Sequence, residues 1–427
     1  MRPGLLARLA GLADPRKRRG RRHAYASILA ICACAIAAAG NDSFTAIGER
    51  AGRASQDTLA ALGVRWDALT RRHVPPSEKT IRRTVGKAGI ENLEETIAEY
   101  LADRAPRPIQ PPTPRPAEAP RAAAPAPARR PLEREQRRQL RRDKTKPRPA
   151  GLAPGVAIDG KRLAGARCED GGRVQLLSAT THTRQALVLG QRRISDKTNE
   201  IPELKNLTKG MDLKGWILTT DALHTQRKTA SWIHEGLDAY YIMIIKENQH
   251  HLLAAAREAL TGTDDEFAAT TRTDDDKGHG RTEWRRVRTA PATGTGTGTG
   301  TTFPHAAQFI RIIRRAGGSD GVLTSKEVVY GVTNLTPEQA GPAALNTHAR
   351  DHWVCENKTH YVRDVTFGED KSQVRTGSAP QALAAIRNLV IGVFRLAGKA
   401  NMAFARRECA DDKNLILRLF NILPNTV

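Results

Sequence analysis

Apolar residues recur every three or four positions through the first hundred residues, which predicts a helical N-terminal region. Pro75-Pro76 interrupts this pattern, and Ser77–Arg83 then has the residues of a short basic helix. Its basic side chains have two interpretations, contacts to DNA phosphates or an ordinary solvated helix face. We therefore predict a small all-α, DNA-contacting domain over residues 1–103. Its other helices are predicted over Ser43–Ala54, Asp57–Leu62 and Ile90–Leu101.

One apolar segment, Ala24–Ala39, follows the basic stretch Arg16–Arg22, and this order resembles that of a signal peptide. Half of the segment is alanine, and it is shorter than the roughly 20 residues that cross a bilayer. We therefore interpret it as a buried helix of the N-terminal domain. Its small side chains would let neighbouring helices approach closely.

Proline and charge set residues 104–150 apart from both neighbours. The segment holds 12 of the chain's 24 prolines, and 14 basic residues against 4 acidic ones. Proline keeps such a segment out of a helix interior or a sheet. We interpret it as a basic linker, which either binds DNA non-specifically or serves as a solubilising tether.

Beyond Gly155 the apolar residues form short runs separated by turn residues, which predicts an antiparallel meander. The later runs alternate with helical patterns. Together these patterns predict a mixed α/β sheet with flanking helices over residues 151–402. The predicted strands are Val156–Ile158, Val174–Ala179, Ala186–Gly190, Trp216–Thr220 and Ala239–Ile245, and the predicted helices are Glu200–Leu207 and Thr225–Glu235.

A β-rich insertion is predicted over about residues 250–345. It contains a Thr-Gly repeat at 293–301, which is typical of a flexible loop. Residues 403–427 are expected to form a C-terminal tail. The remaining predicted elements are strands over Phe309–Ile313 and Glu327–Val332, and helices that begin at Arg350 or cover Gln381–Ala397 and Leu415–Phe420.

The net charge of the chain indicates what kind of partner it binds. The 427 residues carry 68 Lys and Arg against 45 Asp and Glu, a formal charge of +23 with a pI near 10.3. Such a chain attracts a polyanion, with nucleic acid the commonest and an anionic membrane surface the alternative. Five dispersed cysteines exclude a disulfide scaffold and favour reduced thiols in a cytoplasm. The sequence has no Cys-x-x-Cys or His-Glu-x-x-His spacing, which argues against a zinc enzyme.

Two aspartates, Asp159 and Asp221, each directly follow a predicted strand. Functional side chains collect at the carboxyl ends of strands in α/β sheets, so both carboxylates are expected to face one pocket. Like charges held together need a cation, and oxygen ligands suit Mg²⁺ or Mn²⁺. Two aspartates after strands are nevertheless a weak signal on their own.

A third carboxylate is expected from the helical stretch that begins at Arg350. There His352, Glu356 and Arg363 are spaced by four and seven residues, which puts them on about one helix face. A carboxylate framed by cations suits a metal site on DNA, whereas periodicity alone favours an ordinary surface ion pair. Glu369 is the alternative third carboxylate, and we prefer Glu356 because of its cationic neighbours.

Taken in order, these motifs resemble those of the H-repeat-associated (ISAs-type) transposases of bacterial insertion sequences, which belong to the DDE group. Seven motifs match in order over about residues 20–400. The matching stretches are His23–Phe44, Ile158–Lys161, Lys197–Ile201, Thr220–Gln226, Lys246–Gln249, His279–Glu283 and the block formed by Arg350–Asn357 and Asp364–Asp370. The chain departs from the family at Thr359 and Tyr361, where leucine and tryptophan are usual, and at Cys355, where an aliphatic residue is usual.

The resemblance implies a ribonuclease-H-like catalytic domain in which Asp159, Asp221 and Glu356 hold two Mg²⁺ or Mn²⁺ ions. It implies cleavage of double-stranded DNA at the element ends, followed by strand transfer to target DNA. It further implies a dimer in a synaptic complex, in the cytoplasm and associated with the nucleoid. The alternative is an inactive relic that only binds DNA. The residues expected to bind DNA or its phosphates are Lys161, Asn199, Lys246, Asn248, Gln249, Arg350, His352, Asn357 and Arg363.

Overall fold

The computed structural model describes residues 2–19, 21–105, 151–167, 171–194, 200–263, 265–278, 281–292, 303–318 and 322–423. The Thr-Gly repeat and all but the first two residues of the expected linker fall outside these ranges. What the sequence predicts for both segments stays a prediction.

Helices are concentrated at the two ends of the described chain. Three of them begin at a serine whose hydroxyl accepts a backbone hydrogen bond, as Ser43 does from the Ala46 amide at 3.1 Å. Ser55 and Ser77 cap the next helices in the same way. The helices are α1 (Leu5–Ala10), α2 (Tyr25–Ala37), α3 (Phe44–Gly52), α4 (Gln56–Ala61), α5 (Glu78–Val85), α6 (Ile90–Ala102), α7 (Glu200–Thr208), α8 (Arg227–Ser231), α9 (His250–Ala259), α10 (Pro342–Asp351), α11 (Ala379–Leu396), α12 (Met402–Asp411) and α13 (Lys413–Leu419).

The strands form a small ribbon and one large sheet. The ribbon, β1 (Trp66–Asp67) with β2 (Arg72–His73), lies within the N-terminal helical region, so that region is not all-α as predicted. Among the described residues the large sheet has nine strands, in the order β5-β4-β3-β6-β7-β11-β10-β9-β8. These strands are β3 (Gly155–Arg167), β4 (Arg173–Thr181), β5 (Val188–Ile194), β6 (Ile217–Thr220), β7 (Tyr240–Ile245), β8 (Thr271–Gly278), β9 (Arg281–Pro291), β10 (Gln308–Gly317) and β11 (Leu323–Thr333).

The sheet confirms the predicted mixed α/β architecture. Strands β3, β4 and β5 pair antiparallel as the predicted meander, and β6 and β7 then add parallel to β3. The predicted insertion continues the same sheet rather than forming a separate body, because β11 pairs antiparallel with β7. Strands β10, β9 and β8 extend the sheet beyond β11.

Helices from both ends of the chain share one hydrophobic core. Every residue of α2 is buried in it, as expected for the apolar segment, and α11 crosses the same core. A Cβ at Gly392 would lie 2.7 Å from the Leu101 side chain, so glycine lets α11 approach α6 closely.

Most of the expected C-terminal tail over 403–427 forms α12 and α13, which pack within this core. The carbonyl of Phe420 accepts hydrogen bonds from the Leu5 amide at 3.0 Å and from the Tyr100 hydroxyl at 3.1 Å. Arg406 forms a 2.7 Å ion pair with Asp42. The two chain ends thus build one helical body beside the sheet.

The helix predicted after the insertion differs from the structure in its bounds. The helix expected to begin at Arg350 begins at Pro342, because proline is favoured in a helix's first turn. After α10 the chain continues through wide, π-type turns over Cys355–His360 and Val362–Thr366. Such turns bond residue i to i+5, so they shift the angular position of later side chains relative to an α-helix.

Candidate active site

Asp159 and Asp221 lie side by side on the parallel strand pair β3–β6. Ile158 stands opposite Thr220 in this pair, so the next residue on each strand is an aspartate at the same level. Strand β6 ends there, and the Asp221 carboxylate accepts a hydrogen bond from the Leu223 amide at 3.2 Å. This contact forms the turn that leaves Asp221 exposed and His224 buried.

Glu356 reaches the two aspartates from the helical segment that follows α10. All three carboxylates line one pocket of about 270 Å³, together with Lys246 and His352. Lys246 directly follows β7 and is exposed. The pocket thus unites the three expected catalytic residues with two of those expected to contact phosphate.

The charge balance at Asp159 is unfavourable. Burial raises its pKa to about 6, and the negative charges of Asp221, Glu200 and Glu356 act in the same direction. His360 Nδ1 lies 3.4 Å from the carboxylate, but burial lowers the pKa of that imidazole to about 3. The neutral ring does not offset the negative charge. Mutually repelling carboxylates of this kind fit a hard divalent cation, which prefers oxygen ligands.

His352 was expected to act as a cation beside Glu356, but the structure favours its neutral form. Its Nδ1 lies 3.0 Å from the Thr219 hydroxyl, and burial lowers its pKa although Asp221 acts in the opposite direction. The ring is therefore neutral near pH 7. A neutral imidazole can donate or accept one hydrogen bond in the pocket, but it carries no charge for a phosphate.

Sequence reasoning did not identify three further residues of the pocket lining. Arg285, Arg314 and Trp353 also line it. Trp353 is 44% exposed, and the Arg314 guanidinium lies 5.6 Å from its ring centroid. Arg314 also pairs with Glu327 at 3.1 Å. The two arginines come from β9 and β10 in the insertion, so no local motif links them to the aspartates.

Glu200, at the start of α7, is a further acidic residue that sequence reasoning left out of the site. A Cβ at Gly160 would lie 2.5 Å from its Oε1, so the carboxylate packs against the backbone next to Asp159. Its Oε2 lies 3.2 Å from Nε2 of buried His224. Glu200 thus contacts both segments that carry the aspartates. The matching stretch Lys197–Ile201 contained this signal, although only Asn199 was selected from it.

Several expected DNA-binding residues have intramolecular partners. Asn248 donates a hydrogen bond to the Ala222 carbonyl at 2.8 Å, and Gln249 donates one to Gln226 at 3.3 Å. Lys161 is buried and pairs with Asp364 at 2.6 Å, so its phosphate role is not supported by its position.

The other expected contacts differ in their placement. Asn357 is exposed next to Glu356. Arg350 is half-buried, and its charge acts on Glu283 and Arg285. Asn199 lies outside the described residues.

The expectation for Arg363 requires correction. Its guanidinium is fully buried, pairs with Glu369 at 2.7 Å and donates to Gln191 at 3.1 Å. Arg387 pairs with the same carboxylate at 3.1 Å. The wide turns after Cys355 carry Arg363 away from the pocket face shared by His352 and Glu356. Glu369 is therefore enclosed by cations, whereas Glu356 lines the pocket. The preference for Glu356 was based partly on Arg363, and Arg363 in fact binds Glu369.

Comparisons with known proteins identify the family. The family described as Transposase DDE domain matches residues 151–392, and the DDE_Tnp_1-associated family matches residues 6–101. The first match covers more than half of the chain, so the chain belongs to the DDE transposases. Its role is that of a transposase, and a DDE domain implies the use of divalent metal ions.

Curated relatives agree with this family. The chain is 29% identical over 280 residues to the Escherichia coli K12 protein named "H repeat-associated putative transposase YhhI", covering 61% of this chain and 70% of that one. It is 33% identical over 139 residues to YbfD of the same strain, which has the same description, covering 30% and 52%. The resemblance to H-repeat-associated transposases is thereby confirmed.

One solved structure, a piggyBac transposase synaptic complex with hairpin DNA, matches with a TM-score of 0.33 and 11% identity. The match covers 64% of this chain and 58% of that one. Within the part of the chain that the structure describes, none of the helices combines the length and apolar character of a bilayer crossing.

Proposed function

We propose that this transposase cleaves double-stranded DNA at the ends of its element and joins the freed 3′ ends to target DNA. The observation that carries the proposal is the convergence of Asp159, Asp221 and Glu356 in one pocket. These residues come from β3, from the turn after β6 and from the helical segment after α10. Their assembly depends on the whole fold, so it is a more specific signal than any one motif.

We assign the catalytic domain to the ribonuclease-H-like class. Five neighbouring strands support this assignment: an antiparallel meander, β3 to β5, followed by two strands parallel to the first. The first aspartate lies on the central strand, and the second directly follows its parallel neighbour. The remaining strands extend the sheet on the β7 side.

The three carboxylates would hold two Mg²⁺ or Mn²⁺ ions. When bound, such ions supply Lewis-acid activation of a water or 3′-hydroxyl nucleophile and stabilise the leaving oxygen. The chain's own contribution is to deliver ionised carboxylates at one place. Burial and neighbouring charges raise the pKa of Asp159 to about 6, so a bound cation would favour its ionised form.

The remaining pocket residues would position the DNA. Lys246 is exposed and lines the pocket, so its ammonium group is the best placed of the expected phosphate contacts. Exposed Asn357 and half-buried Arg350 are close to Glu356 in the sequence and would contact DNA next to it. Asn248 and Gln249 would act mainly by fixing the loop that carries Lys246, given their hydrogen bonds.

The net charge of +23 supports DNA as the partner, with the basic linker as a non-specific contact. Joining two element ends requires two active sites, so we propose a dimer in the synaptic complex, acting in the cytoplasm on the nucleoid.

The test is cleavage of a supercoiled plasmid that carries the element's own ends. Wild-type protein and Glu356→Gln are compared with Mg²⁺, with Mn²⁺ and with EDTA. We expect nicking at the ends by the wild type in either metal, and none in EDTA or by the variant. Cleavage that survives in Glu356→Gln, with binding unchanged, would overturn the assignment of the third carboxylate.

An inactive relic that only binds DNA is the second candidate. It predicts that wild-type protein retains salt-dependent DNA binding but does not nick in any metal. The departures at Thr359 and Tyr361 would then be the first positions to restore to the leucine and tryptophan that are usual in the family.

A further inference from the structure

Asp159 has a second set of metal-ligand neighbours that the proposed reaction does not use. Cys355 and His360 come from the wide-turn segment that also carries Glu356. One ligand atom from each of Asp159, Cys355 and His360 lies within 4.8 Å of the other two. The Cys355 sulfur is 3.6 Å from His360 Nε2, and His360 Nδ1 is 3.4 Å from Asp159 Oδ2.

The chemistry of these atoms differs from that of the carboxylate set. A thiolate, an imidazole and one carboxylate are ligands for Zn²⁺ or Co²⁺, whereas Mg²⁺ prefers oxygen alone. Three protein ligands with a water in the fourth position form a common zinc geometry. Sequence spacing gave no sign of such a site, because its ligands are residues 159, 355 and 360, brought together by the fold.

The three candidate ligands differ in burial, and only Asp159 lines the pocket. Cys355 is fully buried and His360 is 7% exposed, whereas the Asp159 side chain is 30% exposed and lines the active-site pocket. An ion that enters the pocket therefore meets Asp159 first and finds the sulfur and nitrogen ligands next to it. Binding would replace the Cys355–His360 contact and release the thiol proton.

We propose that Asp159, Cys355 and His360 form a binding site for a borderline-soft divalent cation such as Zn²⁺, and that its occupation withdraws Asp159 from the other two carboxylates. The first part stands on the three ligands alone. The second part rests on the proposed function, and it makes zinc an inhibitor of the Mg²⁺-dependent reaction rather than a catalytic ion.

Cobalt is the direct probe, because thiolate bound to Co²⁺ gives a charge-transfer band in the near ultraviolet. Full-length, reduced, metal-free protein is titrated with Co²⁺ and then with Zn²⁺. We expect a band that saturates at about one equivalent and that Zn²⁺ removes. Wild-type protein without a band, or with a band that Zn²⁺ does not displace, would overturn the site.

Variants identify the thiol. Cys355→Ala is expected to lose the band, and His360→Gln to weaken Co²⁺ binding at least about tenfold. Cys409→Ala, which removes a buried thiol of the helical core, and Cys168→Ser are the matched controls and should keep the band. A band that persists in Cys355→Ala would assign the metal to another cysteine. Circular dichroism shows whether Cys355→Ala is folded, and Cys355→Val provides a second, larger replacement.

Zinc sensitivity of plasmid nicking then tests the inhibition, with each protein normalised to its own rate in Mg²⁺. We expect Cys355→Ala to need at least about tenfold more Zn²⁺ than wild type for half inhibition. If wild type and Cys355→Ala are equally sensitive to Zn²⁺, the proposal that zinc inhibits through this site is overturned. The cobalt band tests the metal site independently. Absence of nicking by the wild type would count against the proposed function, and the cobalt result would remain interpretable.

Discussion

Two sites in this molecule hold carboxylates at opposite charge balance: the open active-site pocket, and a buried cluster formed by Glu369, Arg363 and Arg387. In the pocket, Asp159 lies near Asp221 and Glu356, and its pKa rises to about 6. In the buried cluster, desolvation would raise the pKa of Glu369, but the guanidinium groups of Arg363 and Arg387 lower it. The charge of Glu369 is compensated by the protein's own arginines, whereas the charge of the pocket carboxylates would be compensated by a bound cation. This difference, rather than acidity or burial alone, indicates which carboxylates serve function.

The comparison predicts its largest effect on activity. Asp221→Asn should reduce Mg²⁺-dependent nicking by about 10³-fold or more, because it removes a proposed metal ligand. The same change should leave the thermal midpoint unchanged or raise it, since it removes repulsion within the pocket. Plasmid nicking and a calorimetric scan measure the two effects. Lost activity together with a large fall in the midpoint would mean that the pocket is structural as well.

In the buried cluster, removing one charged group should reduce stability rather than activity. Arg363→Met should lower the free energy of unfolding by about 3–5 kcal/mol, because it leaves Glu369 buried with less compensation. Arg53→Met, at an exposed arginine paired within its own helix, is the matched control and should change the unfolding free energy by less than about 0.5 kcal/mol. Urea unfolding compares them. Equal stability of the two variants would remove the distinction between the clusters.

The sequence predicted those pocket residues that follow from a local pattern. Each aspartate directly follows a predicted strand, so strand prediction alone placed Asp159 and Asp221 at one pocket, although β3 in fact continues past Asp159 to Arg167. Arg363 was misplaced because helical spacing was assumed through turns that widen at Cys355. Its partners Glu369 and Arg387 are set by tertiary packing.

The remaining differences also arise from long-range packing. Glu200 and Trp353 were missed because their roles depend on approach across the fold. The place of residues 403–427 in the helical core depends on the same kind of packing, since the Phe420 carbonyl accepts a hydrogen bond from the Leu5 amide across nearly the whole chain.

The ion pair between Lys161 and Asp364 is intermediate between the open pocket and the buried cluster. The Lys161 side chain is buried, whereas that of Asp364 is 22% exposed. Lys161→Met should lower the free energy of unfolding by about 2 kcal/mol, since it leaves Asp364 without its cation. If Lys161 instead binds phosphate, the variant would lose DNA affinity and the salt dependence of binding would fall by about one counterion. Unfolding in urea and DNA binding at several salt concentrations separate these outcomes, with Lys246→Met as the comparison that should affect binding alone.

The smallest effect expected is the pH dependence of the pocket without metal. The pKa of Asp159 is about 6 in the folded protein and near 4 when unfolded, so folding retains a proton that the unfolded chain has lost. The unfolding free energy should therefore fall as pH rises from 4 to 6 and then level off. Relative to Asp159→Asn, wild type in EDTA should lose roughly 1 kcal/mol over this range, a figure reduced for the partial exposure of the side chain. Mg²⁺ should cancel or reverse this loss near pH 7, since it compensates the ionised carboxylates. A difference between the two proteins that is equal at pH 4 and pH 7 would mean that neither burial nor the neighbouring carboxylates raise the pKa of Asp159.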